Sequence, residues 1–136
     1  MAVEGSDLAA IPLFGTLSSE ERDELAGWFE DRTYDTGARL VGEGAAGYEF
    51  FVLADGGAVV TSNGVELTRL GPGDFFGEIA FGGGGRRSAT VTSTSPTRLL
   101  CMFGTRYREL QESHGDIAAQ IEAQCRARLE RQFEAG

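Results

Sequence analysis

The spacing of apolar residues changes twice along this chain. After a small, polar and acidic lead-in over residues 1–10, Ser18 and Glu21 stand three apart as a capping box, in which each side chain satisfies a backbone N–H of the first turn. Leu25, Trp28 and Phe29 follow at helical spacing, which predicts an amphipathic helix over residues 18–30 within a helical part spanning 13–30. Glycine then punctuates the chain at Gly37, Gly42, Gly44, Gly47, Gly56, Gly57, Gly64, Gly71, Gly73 and Gly77. The segments between are short and rich in β-branched and aromatic residues, the pattern of a sandwich or barrel of short strands.

The clearest hairpin runs from Ala58 to Leu70, with Asn63-Gly64 supplying the two positive-φ residues of a type I′ turn. Strict alternation there puts Val65, Leu67 and Arg69 on one face and Glu66, Thr68 and Leu70 on the other. Tyr48–Leu53 reads as a more buried strand, and Ala89–Thr94 and Thr97–Phe103 as a last pair joined across Ser95-Pro96. From Thr105 onward the glycines nearly vanish. Residues 105–112 and about 114–133 read as two helices, the second placing Ile117, Ile121, Cys125 or Ala118, and Leu129 three to four apart. The expected order is one helix, about eight strands, a short helical insert and two helices, within one domain over residues 1–136. Trp28, Phe29, Phe50, Phe51, Phe75 and Phe76 are expected in the core.

Composition narrows the function. The chain has 136 residues and a formal net charge of −9, so its surface is ill suited to the phosphate backbone of nucleic acids, and no direct nucleic-acid binding is expected. No run of about 18 apolar residues exists and the first residues lack a signal peptide's features, so a cytoplasmic chain without membrane insertion is expected. Cys101 and Cys125 sit in no metal or redox spacing and are expected as inert thiols. A jelly-roll metalloenzyme needs several histidines converging on a metal, whereas His114 is the single histidine. No metal, cofactor or catalysis is therefore expected.

The candidate chemistry lies in Phe76-Gly77-Glu78-Ile79-Ala80, followed after Gly82–Gly85 by Arg86-Arg87-Ser88-Ala89-Thr90-Val91. Gly77 permits a sharp turn, and Glu78–Phe81 can open one helical turn whose free N–H groups favour an anion. Arg87 offers a full charge and a planar fork of donors matched to two phosphate oxygens. A carboxylate repels a phosphate. Glu78 must therefore accept hydrogen bonds from another part of the ligand, and ribose hydroxyls are the natural donors.

These residues resemble the cyclic nucleotide-binding domains of protein kinase A regulatory subunits, cyclic-nucleotide-gated channels and bacterial catabolite activator proteins. The family's glycine-glutamate-hydrophobic-alanine turn is followed, nine residues after the glutamate, by an arginine opening a small-Ala-Thr-Val strand; Glu78, Arg87 and Ser88-Ala89-Thr90-Val91 keep that spacing. Gly37, Glu43-Gly44, Gly57 and Gly71-Pro72-Gly73-Asp74 fall where the family turns its roll. The resemblance implies an α+β fold: an eight-stranded antiparallel β-roll, or jelly roll, with an N-terminal helix, a short phosphate-binding-cassette helix and two C-terminal helices.

It further implies that Glu78 binds the ribose 2′-hydroxyl and Arg87 the exocyclic phosphate oxygens. The backbone N–H groups of Ile79, Ala80, Ser88 and Ala89 complete the cradle, with Gly77 close to the sugar and Thr90 at its edge. Arg86 is expected to face solvent. Ser88 stands where threonine would accompany a preference for cGMP, whereas serine is ambiguous; cAMP is expected as the ligand ahead of cGMP. Phe81 is expected to couple the cassette to residues 113–133, a helix whose Arg126, Arg128 and Phe133 are candidates for covering the base and whose removal is expected to spare the fold. The glycine run Gly82–Gly85 departs from the family and raises the entropic cost of ordering that loop.

The expected function is a cyclic nucleotide sensor acting on an effector protein or a fused domain. Two alternatives remain: a degenerate member acting as a ligand-independent interaction module, and a transcriptional regulator. The catabolite-activator type carries a winged helix-turn-helix after its long helix, and no such segment precedes Gly136, so regulation of transcription is expected only through a separate partner.

Overall fold

A computed structural model describes residues 3–41, 49–77 and 90–135. Three helical pieces come first: α1 (Gly5–Ala9), the 3₁₀ turn η1 (Pro12–Phe14) and α2 (Ser19–Ala26). Eight strands follow among the described residues: β1 (Glu30–Tyr34), β2 (Arg39–Val41), β3 (Glu49–Asp55), β4 (Ala58–Ser62), β5 (Val65–Leu70), β6 (Phe75–Gly77), β7 (Thr90–Ser93) and β8 (Thr97–Phe103). Helices α3 (Gly104–Ser113) and α4 (Gly115–Ala135) close the chain. The strands form two antiparallel sheets, ordered β1-β8-β3-β6 and β2-β7-β4-β5.

The centre of the first sheet, β3 and β8, is buried on both faces, which explains why these two strands read as continuous apolar runs rather than as alternating ones. Successive residues feed two cores in turn. Phe50, Val52, Leu100 and Met102 pack among the helices with Leu8, Phe14, Leu25, Leu110 and Ile121. Phe51, Leu53, Leu99 and Cys101 point to the other side, where Ala58 and Val91 of the second sheet meet them.

The capping box forms as expected: Ser18 Oγ accepts from the Glu21 N–H at 3.1 Å, and Glu21 Oε1 accepts from the Ser18 N–H at 2.9 Å. The helix it opens is shorter than residues 18–30. At Gly27 the chain tightens into three-residue turns, with Trp28 N–H bonding Leu25 C=O at 2.9 Å, and Glu30 already pairs with Cys101 in β1. Phe29 still reaches the core, edge-on to Phe14 with centroids 5.8 Å apart.

The lead-in is also more ordered than its composition suggests. Val3 and Leu8 are buried, and Asp7 on α1 is gripped by Arg98 of β8. Arg98 donates to Asp31 Oδ2 at 2.8 Å and to Asp7 Oδ1 at 3.2 Å, tying α1, β1 and β8 together.

The hairpin turn matches its sequence, with Asn63 at φ 53° and Gly64 at φ 79°. The alternation beyond it does not. Thr61 pairs with Glu66 but Val60 with Thr68, so Leu67 is an extra residue in β5. This bulge puts Glu66 and Arg69 on the same face, where Arg69 Nη2 meets Glu66 Oε1 at 3.0 Å.

In α4 the expected stripe is present: Ile117, Ala118, Ile121 and Cys125 are buried in the helical core beside η1 and α3. Leu129 lies where only the helix backbone is described. The first three turns of α4 are thus part of the core, so deleting the helix would remove core packing, which argues against the expectation that its loss spares the fold.

Candidate functional site

Two aromatic residues fix the approach to the candidate cassette. Phe75 and Phe76 lie in β6, whose residues pair with β3 as Phe75 with Val52, Phe76 with Phe51 and Gly77 with Phe50. Their side chains divide between the two cores. Phe75 sits 6.1 Å from Phe50 on the helical side, and Phe76 stacks on Phe51 at 4.9 Å on the inter-sheet side. Upstream, Asp74 shapes the turn: its Oδ2 accepts from Gly71 N–H at 2.7 Å, and its N–H returns to Gly71 C=O at 3.0 Å. Gly73 takes φ 93° there and donates to Leu53 C=O at 2.8 Å, locking the turn to β3. A side chain at Gly73 would be strained by that backbone angle.

Gly77, in β6 of the first sheet, is the last described residue before the cassette, and Thr90, in β7 of the second, is the first described after it. Thr90 pairs with Thr61 of β4, and Val91 pairs with both Val60 and Val41. Val91 is buried in the inter-sheet core, so by strand alternation Thr90 faces away from it. The described strands on either side of the cassette thus belong to different sheets, β6 to the first and β7 to the second. Glu78, Ile79, Ala80, Phe81, Arg86, Arg87, Ser88 and Ala89, together with the expected short helix, lie outside the described residues.

The candidate lid residues are on α4. Arg126 is exposed; Arg128 and Phe133 belong to the helix, their side chains outside the described set. The start of α4 is held by contacts that the sequence did not advertise. His114, between α3 and α4, places Nε2 2.8 Å from Glu24 of α2 and its ring edge-on to Trp28. Arg106 lies over the Trp28 ring at 4.4 Å and donates to Gly27 C=O at 3.2 Å. Tyr107 donates to Glu122 across the α3–α4 interface at 2.5 Å, and burial followed by that carboxylate pushes its phenol well above the usual range. No periodicity signals such pairs, because each joins residues from different elements.

Among the described residues no cluster of histidine, cysteine or carboxylates could hold a metal ion. No described helix is long and apolar enough to cross a membrane. A cleft of about 500 Å³ opens beside Tyr34, Asp55 and Arg98, at the end of β3 remote from Gly77. Arg98 on its wall is already engaged by two carboxylates.

With this geometry in place, the likeness to known proteins is specific. The family model described as "Cyclic nucleotide-binding domain" matches residues 31–114. The chain is 32% identical over 141 residues to a cAMP-dependent protein kinase regulatory subunit of Mycosarcoma maydis, covering 88% of this chain and 27% of that protein. It is 37% identical over 112 residues to a cyclic nucleotide-gated potassium channel of Mesorhizobium japonicum, covering 82% of this chain and 31% of the other. The solved catabolite activator protein of Thermus thermophilus superposes with a TM-score of 0.77 at 31% identity, over 91% of this chain and 60% of its own.

This chain belongs to the cyclic nucleotide-binding domain family, and its fold is the antiparallel β-roll of that family. It spans between 23% and 32% of the length of five curated relatives it matches.

Proposed function

We propose that residues 1–136 act as one cytoplasmic sensor module that binds cAMP in preference to cGMP, without catalysis of its own, and signals through α4 to an effector protein or a fused domain. The observation that carries this reading is the coincidence of the family match with the full cassette pattern, Gly77-Glu78 followed by Arg87-Ser88-Ala89-Thr90, on the stretch that crosses from β6 to β7. Arg87 forks onto the exocyclic phosphate oxygens, while Glu78 accepts from the ribose 2′-hydroxyl. The N–H groups of Ile79, Ala80, Ser88 and Ala89 supply neutral donors around the phosphate, and Gly77 lets the backbone come close to the sugar. Thr90 contributes by anchoring the exit strand to Thr61.

The preference for cAMP is supported by a relative named for its dependence on cAMP, and the threonine that accompanies cGMP selectivity is absent at Ser88. Phe81 links the cassette to α4, and the part of α4 beyond Cys125, with Arg126, Arg128 and Phe133, covers the base. A ligand shifts this helix only through contacts that differ between the two states. Calorimetric titration of the chain with cAMP and with cGMP tests the reading. Saturable one-site binding, tighter for cAMP, is expected; absence of heat and of competition with both nucleotides would point instead to a degenerate module.

A further inference from the structure

Among the described residues strand β5 is the outer strand of its sheet, and residues 65–69 are exposed. An uncovered edge presents a row of main-chain donors and acceptors, a template for another strand unless charges or bulges blunt it. Two of the three large exposed hydrophobic residues among the described ones lie on this strand, Val65 at 62% and Leu67 at 60% exposure.

The bulge changes what the charges do. In a regular strand Glu66 and Arg69, an odd number of residues apart, would stand on opposite faces. With Leu67 inserted, Glu66 lies opposite Thr61 and Arg69 opposite Val59, both on the face turned away from the inter-sheet core. Counting Leu67-Thr68 as one step, the strand reads apolar Val65, acidic Glu66, bulge, basic Arg69, apolar Leu70. That order is self-complementary. A two-fold axis through the bulge and perpendicular to the sheet sets Glu66 opposite the partner's Arg69, Arg69 opposite the partner's Glu66, and Val65 opposite the partner's Leu70, with every pair on a matching face. Shifting the strands by one step leaves the charges unmatched.

We propose that β5 pairs antiparallel with β5 of a second copy of this chain, in this register, to extend the sheet β2-β7-β4-β5 across a homodimer. Covering Val65 and Leu67 and pairing the free edge supply the attraction. The two ion pairs exchange partners with the intrachain Glu66–Arg69 contact at 3.0 Å, so they add little affinity and chiefly select the register. The proposal does not depend on nucleotide binding.

Sedimentation velocity over a concentration series tests it on the full chain. A reversible monomer–dimer equilibrium is expected. Glu66→Arg and Arg69→Glu each set like charges opposite one another and raise the dimer dissociation constant by about tenfold or more. An equimolar mixture of the two single variants regains the dimer, because each supplies what the other lacks. A wild type that stays monomeric, single variants that dimerise as well as the wild type, or a mixture no better than its components would overturn the pairing. Should either charge variant fold poorly, cross-linking decides. Thr68→Cys at the axis forms a disulfide-linked dimer on mild oxidation and Asn63→Cys at the hairpin tip does not, with Cys101 and Cys125 buried out of reach. Equal cross-linking at both sites, or at neither, contradicts the register.

Discussion

Phe76 stacks on Phe51 with ring centroids 4.9 Å apart and planes 19° from parallel, two residues before Glu78. The pair clamps the strand entering the cassette to the centre of the first sheet, while Phe75 is held on the opposite face. Phe51 is 2% exposed, so Phe51→Ala is expected to cost about 3–5 kcal/mol in urea unfolding. Phe76→Leu keeps an apolar side chain but loses the ring pair, worth about 0.5–1.5 kcal/mol beyond burial. In the double variant the losses fall short of their sum, because both remove the same contact. Additive losses would show that the stack does not anchor β6.

Arg98 makes the acid limb of stability depend on Asp7. The guanidinium's hydrogen bonds, followed by the Glu4 N–H, hold the Asp7 carboxyl below its ordinary value of 3.8. A depressed carboxylate contributes stability above that ordinary value, and the contribution disappears as pH falls through the lower, folded-state value. Urea midpoints measured from about pH 5 downward should therefore fall more steeply for the wild type than for Asp7→Asn. Parallel curves would mean that the contact with Arg98 carries no stability.

Gly56 closes the β3–β4 turn at φ 94°, and a Cβ there would collide with Pro96 C=O and approach Thr97 Oγ1 to 2.7 Å. Gly56→Ala meets both a left-handed backbone and a rigid neighbour, so it should destabilise by more than about 0.4–1 kcal/mol, the amount by which glycine-to-alanine stabilises where the backbone tolerates it. Gly64→Ala, with nothing within 4 Å, has only the backbone cost to meet and should be milder. Thermal unfolding of the two variants side by side checks the order.

Helix α4 divides into a packed half and a candidate output half. Truncation after Ser113 removes Ile117, Ala118, Ile121 and Cys125 from the core and should leave a chain without a cooperative unfolding transition. Truncation after Ala127 keeps those contacts. That shorter chain should unfold cooperatively yet bind cAMP more weakly than the full chain, as expected if Arg128 and Phe133 help cover the base. Unchanged affinity would make the end of the helix a passive appendage.

What was legible beforehand follows a physical pattern. The capping box at Ser18, the Asn63-Gly64 turn, the strands around Phe50 and Leu99 and the stripe along α4 were visible because each is written in neighbouring residues. Strand β1, with the polar sequence Glu-Asp-Arg-Thr-Tyr, carries no apolar alternation and is a strand because β8 pairs with it. The helix α1 in the lead-in is tied down by Arg98, which is 91 positions from Asp7. The bulge at Leu67 was hidden for a similar reason, since an extra residue in one strand is defined only by its partner. The candidate site is legible only as a motif, Glu78 with Arg87, and lies outside the described residues. The structure adds the strands that lead into and out of it, at Gly77 and Thr90.

The most direct measurement is a calorimetric titration of cAMP into the wild type, Arg87→Ala and Arg86→Ala. Removing one partner of a desolvated charge pair costs about 3–5 kcal/mol, so Arg87→Ala should weaken binding by roughly 10² to 10⁴, while Arg86→Ala, expected to face solvent, should change it by less than about tenfold. Equal losses for the two arginines, or a wild type that binds neither cAMP nor cGMP, would contradict the assignment of Arg87 as the phosphate anchor of a nucleotide-binding cassette.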